Sequence, residues 1–222
     1  VNVLITGANR GLGLGFARHY LQQGYDVWAC YRSGIGGLAE PADTRLHPVH
    51  WDICQPPAPG ATLPDSIDLL INNAGIYGPD KDGQTLENIT PEVMREVFEV
   101  DCIGPLMVVQ AMKERVVRAK GVIANVSSKM GSIADNTSGG TYAYRAAKVA
   151  LVMVSKSMAV DFAPRGVRVI TLHPGWVKTD MTHHTGLIDV ETSVAGMAAV
   201  IAHVDDYAPG SFIAFDGRSV PY

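Results

Sequence analysis

The run Val1-Asn-Val-Leu-Ile5, followed at once by Thr6-Gly-Ala-Asn-Arg-Gly-Leu-Gly13, leaves few folds open. The apolar segment reads as a buried strand. Leu12, Phe16, Ala17, Tyr20 and Leu21 behind it recur at helical spacing. The glycines therefore sit between a strand and a helix. A turn in that position aims free backbone N–H groups and the positive end of the helix at an anion. Gly7, Gly11 and Gly13 let the chain turn tightly and come close to a pyrophosphate. The spacing is G-x-x-x-G-x-G rather than G-x-G-x-x-G. The plain alternative is a tight strand–helix turn that binds nothing.

The same alternation continues to the end of the chain. Tyr25–Tyr31, His47–Trp51, Ile67–Ile71, Gly121–Val126, Val167–Leu172 and Ser211–Phe215 read as further strands. Thr90-Pro91-Glu92 marks a helix start, with Thr90 as N-cap and proline at the first helical position. That helix is expected to run through Met94, Val97, Phe98, Val108, Val109 and Met112. Asp101 falls in its middle, and Gly104-Pro105 predicts a kink. Gly140 to about Ala163 reads as a long helix of small and apolar residues, and Glu191–Val204 as another. Cys54 to Pro64 is too rich in proline for the helix that normally links parallel strands. The pattern predicts an α/β fold, a doubly wound parallel sheet of the Rossmann type with about seven strands, and one domain over residues 1–222.

The formal net charge of −4 and the absence of a basic run argue against a nucleic acid or a membrane surface as partner. Cys30, Cys54 and Cys102 are scattered without ligand spacing, so free thiols in a reducing compartment are expected and no metal is. His183 and His184 are adjacent but have no third ligand near them in sequence. Residues 1–5 already belong to a strand, so no signal peptide is expected. No apolar run is long enough to span a bilayer. A cytoplasmic location is the default expectation.

Tyr144 and Lys148 stand one turn apart on one face of the long helix. A phenol near pKa 10 is a poor acid or base at neutral pH, and a fixed ammonium beside it favours the phenolate. That makes Tyr144 usable in proton transfer, although such a pair is common by chance. At the tip of the second strand, Tyr31-Arg32 carries no carboxylate, where a dinucleotide fold meets the adenosine ribose. Arg32, with Arg10 from the glycine turn, favours NADP(H), with NAD(H) as the alternative. Arg32 also reads simply as a solvated charge at a strand end.

Five motifs thus follow in order: Thr6-Gly-x-x-x-Gly-x-Gly13, Asn72-Asn-Ala-Gly75, Ser128 after a strand, Tyr144-x-x-x-Lys148, and Pro174-Gly175 after a strand. The ordered set resembles the short-chain dehydrogenase/reductase family. The wording Thr-Gly-Ala-Asn-Arg-Gly-Leu-Gly, Leu-His-Pro-Gly-Trp-Val-Lys-Thr-Asp-Met and Phe-Asp-Gly-Arg is similar to its C-factor-like and sniffer-like carbonyl reductase branch. The resemblance implies that Tyr144 gives a proton to a carbonyl or takes one from an alcohol. Lys148 would bind the nicotinamide ribose and lower the Tyr144 pKa, and Ser128 would hydrogen-bond the substrate oxygen, leaving Ser127 a structural role. Thr6 through Gly13, including Gly7, Asn9, Arg10, Gly11, Leu12 and Gly13, would meet the phosphates, with Arg10 and Arg32 at the 2′-phosphate. Asp52 and Ile53 would meet the adenine, and Asn73, Ala74 and Gly75 the adenosine side. Pro174, Gly175, Val177 and Thr179 would lie at the nicotinamide end.

Two features depart from the family. It usually carries an asparagine where Asp101 stands, supporting a water-linked proton relay to the lysine. Asp101 either keeps that relay with a changed pH profile or is a structural residue satisfied by helix backbone. The stretch from Thr179 to Glu191 is short, which predicts an open pocket and broad or bulky carbonyl or alcohol substrates. The family pairing of the helices near 90–118 and 142–163 implies a homodimer or homotetramer. A non-catalytic nucleotide-binding signalling or scaffold protein on the same fold is the alternative reading.

Overall fold

The computed structural model describes residues 1–40 and 43–222. Its centre is a sheet of seven strands in the order β3-β2-β1-β4-β5-β6-β7, every neighbouring pair parallel. The strands are β1 (Asn2–Ile5), β2 (Asp26–Tyr31), β3 (Leu46–His50), β4 (Leu69–Asn72), β5 (Val122–Val126), β6 (Arg168–His173) and β7 (Phe212–Ala214). The helices are α1 (Gly11–Gln22), α2 (Pro91–Phe98), α3 (Gly104–Ala119), α4 (Tyr142–Phe162) and α5 (Val190–Ala202).

Alternation along each strand divides the core in two. Val3 and Ile5 point with Ala29, Ile71 and Leu172 toward α1 and α5, where Phe16, Met197 and Ile201 meet them. Leu4 points with Leu70, Ile123 and Val169 toward α3 and α4, where Val108, Met112 and Met158 meet them. A strand covered on both faces must be apolar throughout, which is why Val-Leu-Ile and Leu-Leu-Ile runs mark β1 and β4. Each such side chain removed from water is worth about 1.5–3 kcal/mol. Pro48 lies in β3, an edge strand, where a missing N–H is tolerated.

The strand order reverses direction between β1 and β4, and in such sheets ligands lie at the carboxyl ends of the strands at that switch point. The glycine turn after β1 and the Asn73–Gly75 segment after β4 meet there.

Two local readings are corrected and two hold. The helix expected from Gly140 begins at Tyr142, because Thr141 adopts a left-handed φ of 51°. The kink expected at Gly104-Pro105 lies just before it, as a π-helical turn over Glu99–Ile103. Thr90 caps α2 as expected, accepting from the Val93 N–H at 3.4 Å. The Cys54–Pro64 crossover contains no helix, and Trp51, Ile53 and Leu63 pack there against the α3 and α4 side of the core.

Candidate active site

The glycine turn is held shut from the neighbouring strand. Thr6 Oγ1 accepts the backbone N–H groups of Asn73 and Ala74, both at 3.0 Å, so its hydroxyl faces inward. Asn73 Nδ2 donates to the Thr6 and Gly7 carbonyls at 3.0 and 3.1 Å. Gly7, at φ 64°, lies so close to β4 that a Cβ would stand 2.8 Å from Ala74 Cα, and a Cβ on Gly13 would overlap the Gly7 carbonyl oxygen. Helix α1 then starts at Gly11. Arg10 precedes it in extended conformation, with no side chain capping the first turn and no acid within it. Uncapped N–H groups at the positive end of a helix are the donor set that a pyrophosphate requires, so the cradle fits a dinucleotide.

The remaining expected contact residues surround this turn. Asn9 Nδ2 donates to the Gly34 carbonyl at 3.0 Å, tying the turn to the segment after β2. Arg32 is exposed at the tip of β2, and His50 Nε2 lies 2.7 Å from its carbonyl oxygen. Arg10 reaches Asp180 at 3.4 Å in an open, solvated ion pair. Asp52 accepts the Cys54 N–H at 3.1 Å, and Ile53 is buried against Gly104. Leu12, in the first turn of α1, packs on the core. Gly175, at φ 84°, is pressed between Ile188 and Phe215, and the Pro174 carbonyl accepts from Ser193 Oγ at 2.6 Å. Val177 is buried, and Thr179 lies over Gly11.

Tyr144 and Lys148 point inward from the first turns of α4, both nearly inaccessible to solvent. Lys148 Nζ stands 5.6 Å from the centre of the Tyr144 ring, 3.3 Å from the Val126 carbonyl and 3.2 Å from Asp101 Oδ2. That last approach is an ion pair outside hydrogen-bond alignment, since Oδ2 has no aligned donor. Asp101 Oδ1 accepts the Ile76 N–H at 2.8 Å, so Asp101 is satisfied by a neighbouring loop and not by its own helix. Ser128, two residues after β5, lies beside the Tyr144 phenol and also accepts the Met130 N–H at 3.2 Å. Ser127 Oγ donates to the Lys148 carbonyl at 3.0 Å, bracing the helix. Tyr142, two residues before Tyr144, faces solvent.

Burial dominates the electrostatics. It pushes the Tyr144 phenol above its usual value. Lys148 and Ser128 pull it down, while Asp101 and Tyr77 add to the rise. Lys148 lowers this pKa as expected, but the cost of a buried phenolate outweighs that one ammonium. For Lys148, burial alone would favour loss of the proton, but Asp101, Tyr144 and Cys102 together keep its pKa raised. Burial raises Asp101, and Lys148 and the Ile76 N–H oppose that rise.

Two contributors carried no signal in the sequence. Gln84, fully buried within what reads as a plain loop, accepts the Tyr144 N–H at 3.1 Å and donates to the Tyr77 and Pro79 carbonyls at 2.8 and 3.0 Å. It replaces the missing side-chain cap of α4. His173, at the end of β6, accepts the Lys129 N–H on Nδ1 at 3.2 Å and so holds the residue after Ser128. The short 180–189 segment folds back through the bridge Val177–Ile188 and leaves Trp176, Met181 and Leu187 exposed. His184 pairs with Asp180 at 3.2 Å. Among the described residues no cluster of three or more potential ligands is placed to hold a metal ion. No described helix is long and apolar enough to cross a membrane.

A family model for short chain dehydrogenase matches residues 1–187. The chain belongs to that family. Proteins similar to it include C-signal of Myxococcus xanthus, 40% identical over 157 residues, which are 70% of this chain and 93% of that protein. Among solved structures, the carbonyl reductase Sniffer of D. melanogaster superposes with a TM-score of 0.91 at 28% identity, covering 100% of this chain and 99% of Sniffer. The NADPH-bound carbonyl reductase from chicken fatty liver gives 0.88 at 30% identity, covering 100% and 94%. This short-chain dehydrogenase is thus an oxidoreductase on a Rossmann-type sheet, on the branch of C-signal and Sniffer.

Proposed function

We propose that this protein is an NADPH-dependent carbonyl reductase acting on a ketone or aldehyde, and in reverse an alcohol dehydrogenase. The observation that carries the reading is the buried Tyr144–Lys148 pair with Ser128 beside it, set at the same end of the sheet as the uncapped glycine turn. A bound nicotinamide dinucleotide supplies or takes up the hydride. Gly7, Gly11 and Gly13 with the first N–H groups of α1 would hold its phosphates, and Lys148 its nicotinamide ribose. Tyr144 gives its proton to the carbonyl oxygen, and Ser128 donates a hydrogen bond to the same atom. A phenol kept protonated by burial suits reduction, where it must act as the acid.

NADP(H) over NAD(H) rests on Arg10 and Arg32 and on the absence of a carboxylate at the tip of β2. The NADPH-bound carbonyl reductase noted above supports it. Trp176, Met181 and Leu187 form an apolar rim suited to bulky carbonyl substrates. Exposed Leu106 and Met107 on α3, and Met153 and Val160 on α4, support a homodimer or homotetramer built on those helices. Three free cysteines suit a reducing compartment such as the cytoplasm.

Fluorescence titration with NADPH and with NADH tests the cofactor, followed by a panel of aldehydes and ketones. Tighter NADPH binding and turnover are expected. Tighter NADH binding would overturn the 2′-phosphate assignment, and no binding by folded protein would overturn the reductase. The likeness to C-signal keeps a second reading, a nucleotide-binding signalling protein, which requires that a biological role survive Tyr144→Phe.

A further inference from the structure

Asp101 is a carboxylate with no solvent exposure, facing an ammonium that is itself almost fully buried, at 3.2 Å. Isolated, either charge would be strongly disfavoured there. The surrounding chain is shaped around the pair. The π-helical turn Glu99–Ile103 presents Asp101 between α2 and α3. The Ile76 N–H holds Oδ1 at 2.8 Å. Gly75 leaves the space: a Cβ at that position would stand 3.2 Å from Asp101 Oδ1 and 3.3 Å from Lys148 Nζ.

We propose that Asp101 is a positioning residue of the proton-transfer site, whose carboxylate fixes the Lys148 ammonium and offsets part of the positive charge that Lys148 presents to Tyr144. This rests on the reading of Tyr144 as the proton-transfer group. The titratable groups facing the pair are Tyr144 from α4, Tyr77 from the loop after β4, and Cys102 beside Asp101. Asp101 is the one carboxylate among these groups and stands 3.2 Å from Lys148 Nζ, so it is the group that opposes the ammonium. Removing its charge while keeping its shape leaves Lys148 unopposed, and the phenolate of Tyr144 becomes easier to form.

The test is an ultraviolet difference titration of phenolate absorbance in the wild type, Asp101→Asn, Lys148→Met and the double variant, each referenced to its Tyr144→Phe counterpart. It reads Tyr144 directly and needs no substrate, so it stands apart from whether the protein reduces carbonyls. Asp101→Asn is expected to lower the Tyr144 midpoint by about one pH unit, a tenfold change in phenolate fraction at a given pH. In the Lys148→Met background the same substitution should change nothing, because a buried Asp101 without its partner is already neutral. An unmoved or raised midpoint in Asp101→Asn, or an equal effect without Lys148, overturns the proposal. If Asp101→Asn does not fold, the carboxyl carbon of Asp101 in 13C-labelled wild-type protein decides. An ionised signal at neutral pH supports the offset, and a protonated one overturns it.

Discussion

Thr6→Val isolates the joint between the two halves of the sheet. The substitution keeps the side chain's shape and removes one hydroxyl, which is fully buried and accepts the N–H groups of both Asn73 and Ala74 at 3.0 Å. A buried donor left without a partner costs about 1–3 kcal/mol. Asn73 and Ala74 are half-buried, so water recovers part of that cost and the lower half of the range applies. Two donors then give a loss of about 2–4 kcal/mol, or roughly 5–15 °C in Tm for a domain of this size. Urea unfolding monitored by circular dichroism measures it, with Thr6→Ser as the control that keeps the hydroxyl. Cofactor titration on the same samples should show weaker binding, because Asn73 closes the glycine turn through the Thr6 and Gly7 carbonyls. A Thr6→Val protein within about 0.5 kcal/mol of wild type at an unchanged m value would refute the reasoning, since that lies within the scatter of neutral substitutions.

Tyr144→Phe should reduce turnover by at least about a hundredfold, the usual scale for a lost general acid, while NADPH affinity measured by fluorescence stays within about twofold. Burial lowers the His173 pKa from 6.5 to about 4, with Lys129 adding to the effect. The unfolded chain therefore takes up the proton first, and His173 costs stability as pH falls through that window. The loss is of order 3 kcal/mol, and His173→Gln should flatten that part of a stability-versus-pH curve. If the exposed faces of α3 and α4 join two copies, Met153→Glu with Val160→Glu should give a monomer by light scattering with the melting temperature of the isolated chain preserved.

What the sequence made legible is what acts locally. Glycine at a left-handed turn, threonine before a proline at a helix start, and unbroken apolar runs each constrain the few residues around them. Together they place β1 and β4 within a residue or two, and the start of α2 at Pro91. Contacts between distant segments left no such trace. Gln84 caps α4 from 60 residues away, and Thr6 meets Asn73 across 67. The π-helical turn has no residue signature, so a helix with a kink at Gly104-Pro105 was the natural expectation. The net direction of the Tyr144 pKa depends on how deeply the phenol is buried, and spacing from Lys148 carries no information about that.

The turn at Glu99–Ile103 has a consequence for how such a site can be gained or lost. Each π-type bond spans one residue more than an α-type bond, so this rod holds one surplus residue between two regular helices. Removing a single residue there would restore an unbroken helix. Val97 on one side and Val108, Met112 and Val116 on the other would keep their places in the core. The carboxylate at 101 would lose the position from which it meets Lys148. Under the role proposed for Asp101, its pairing with Lys148 would thus be separable from the fold by the insertion or deletion of one codon, a step that leaves the core composition untouched.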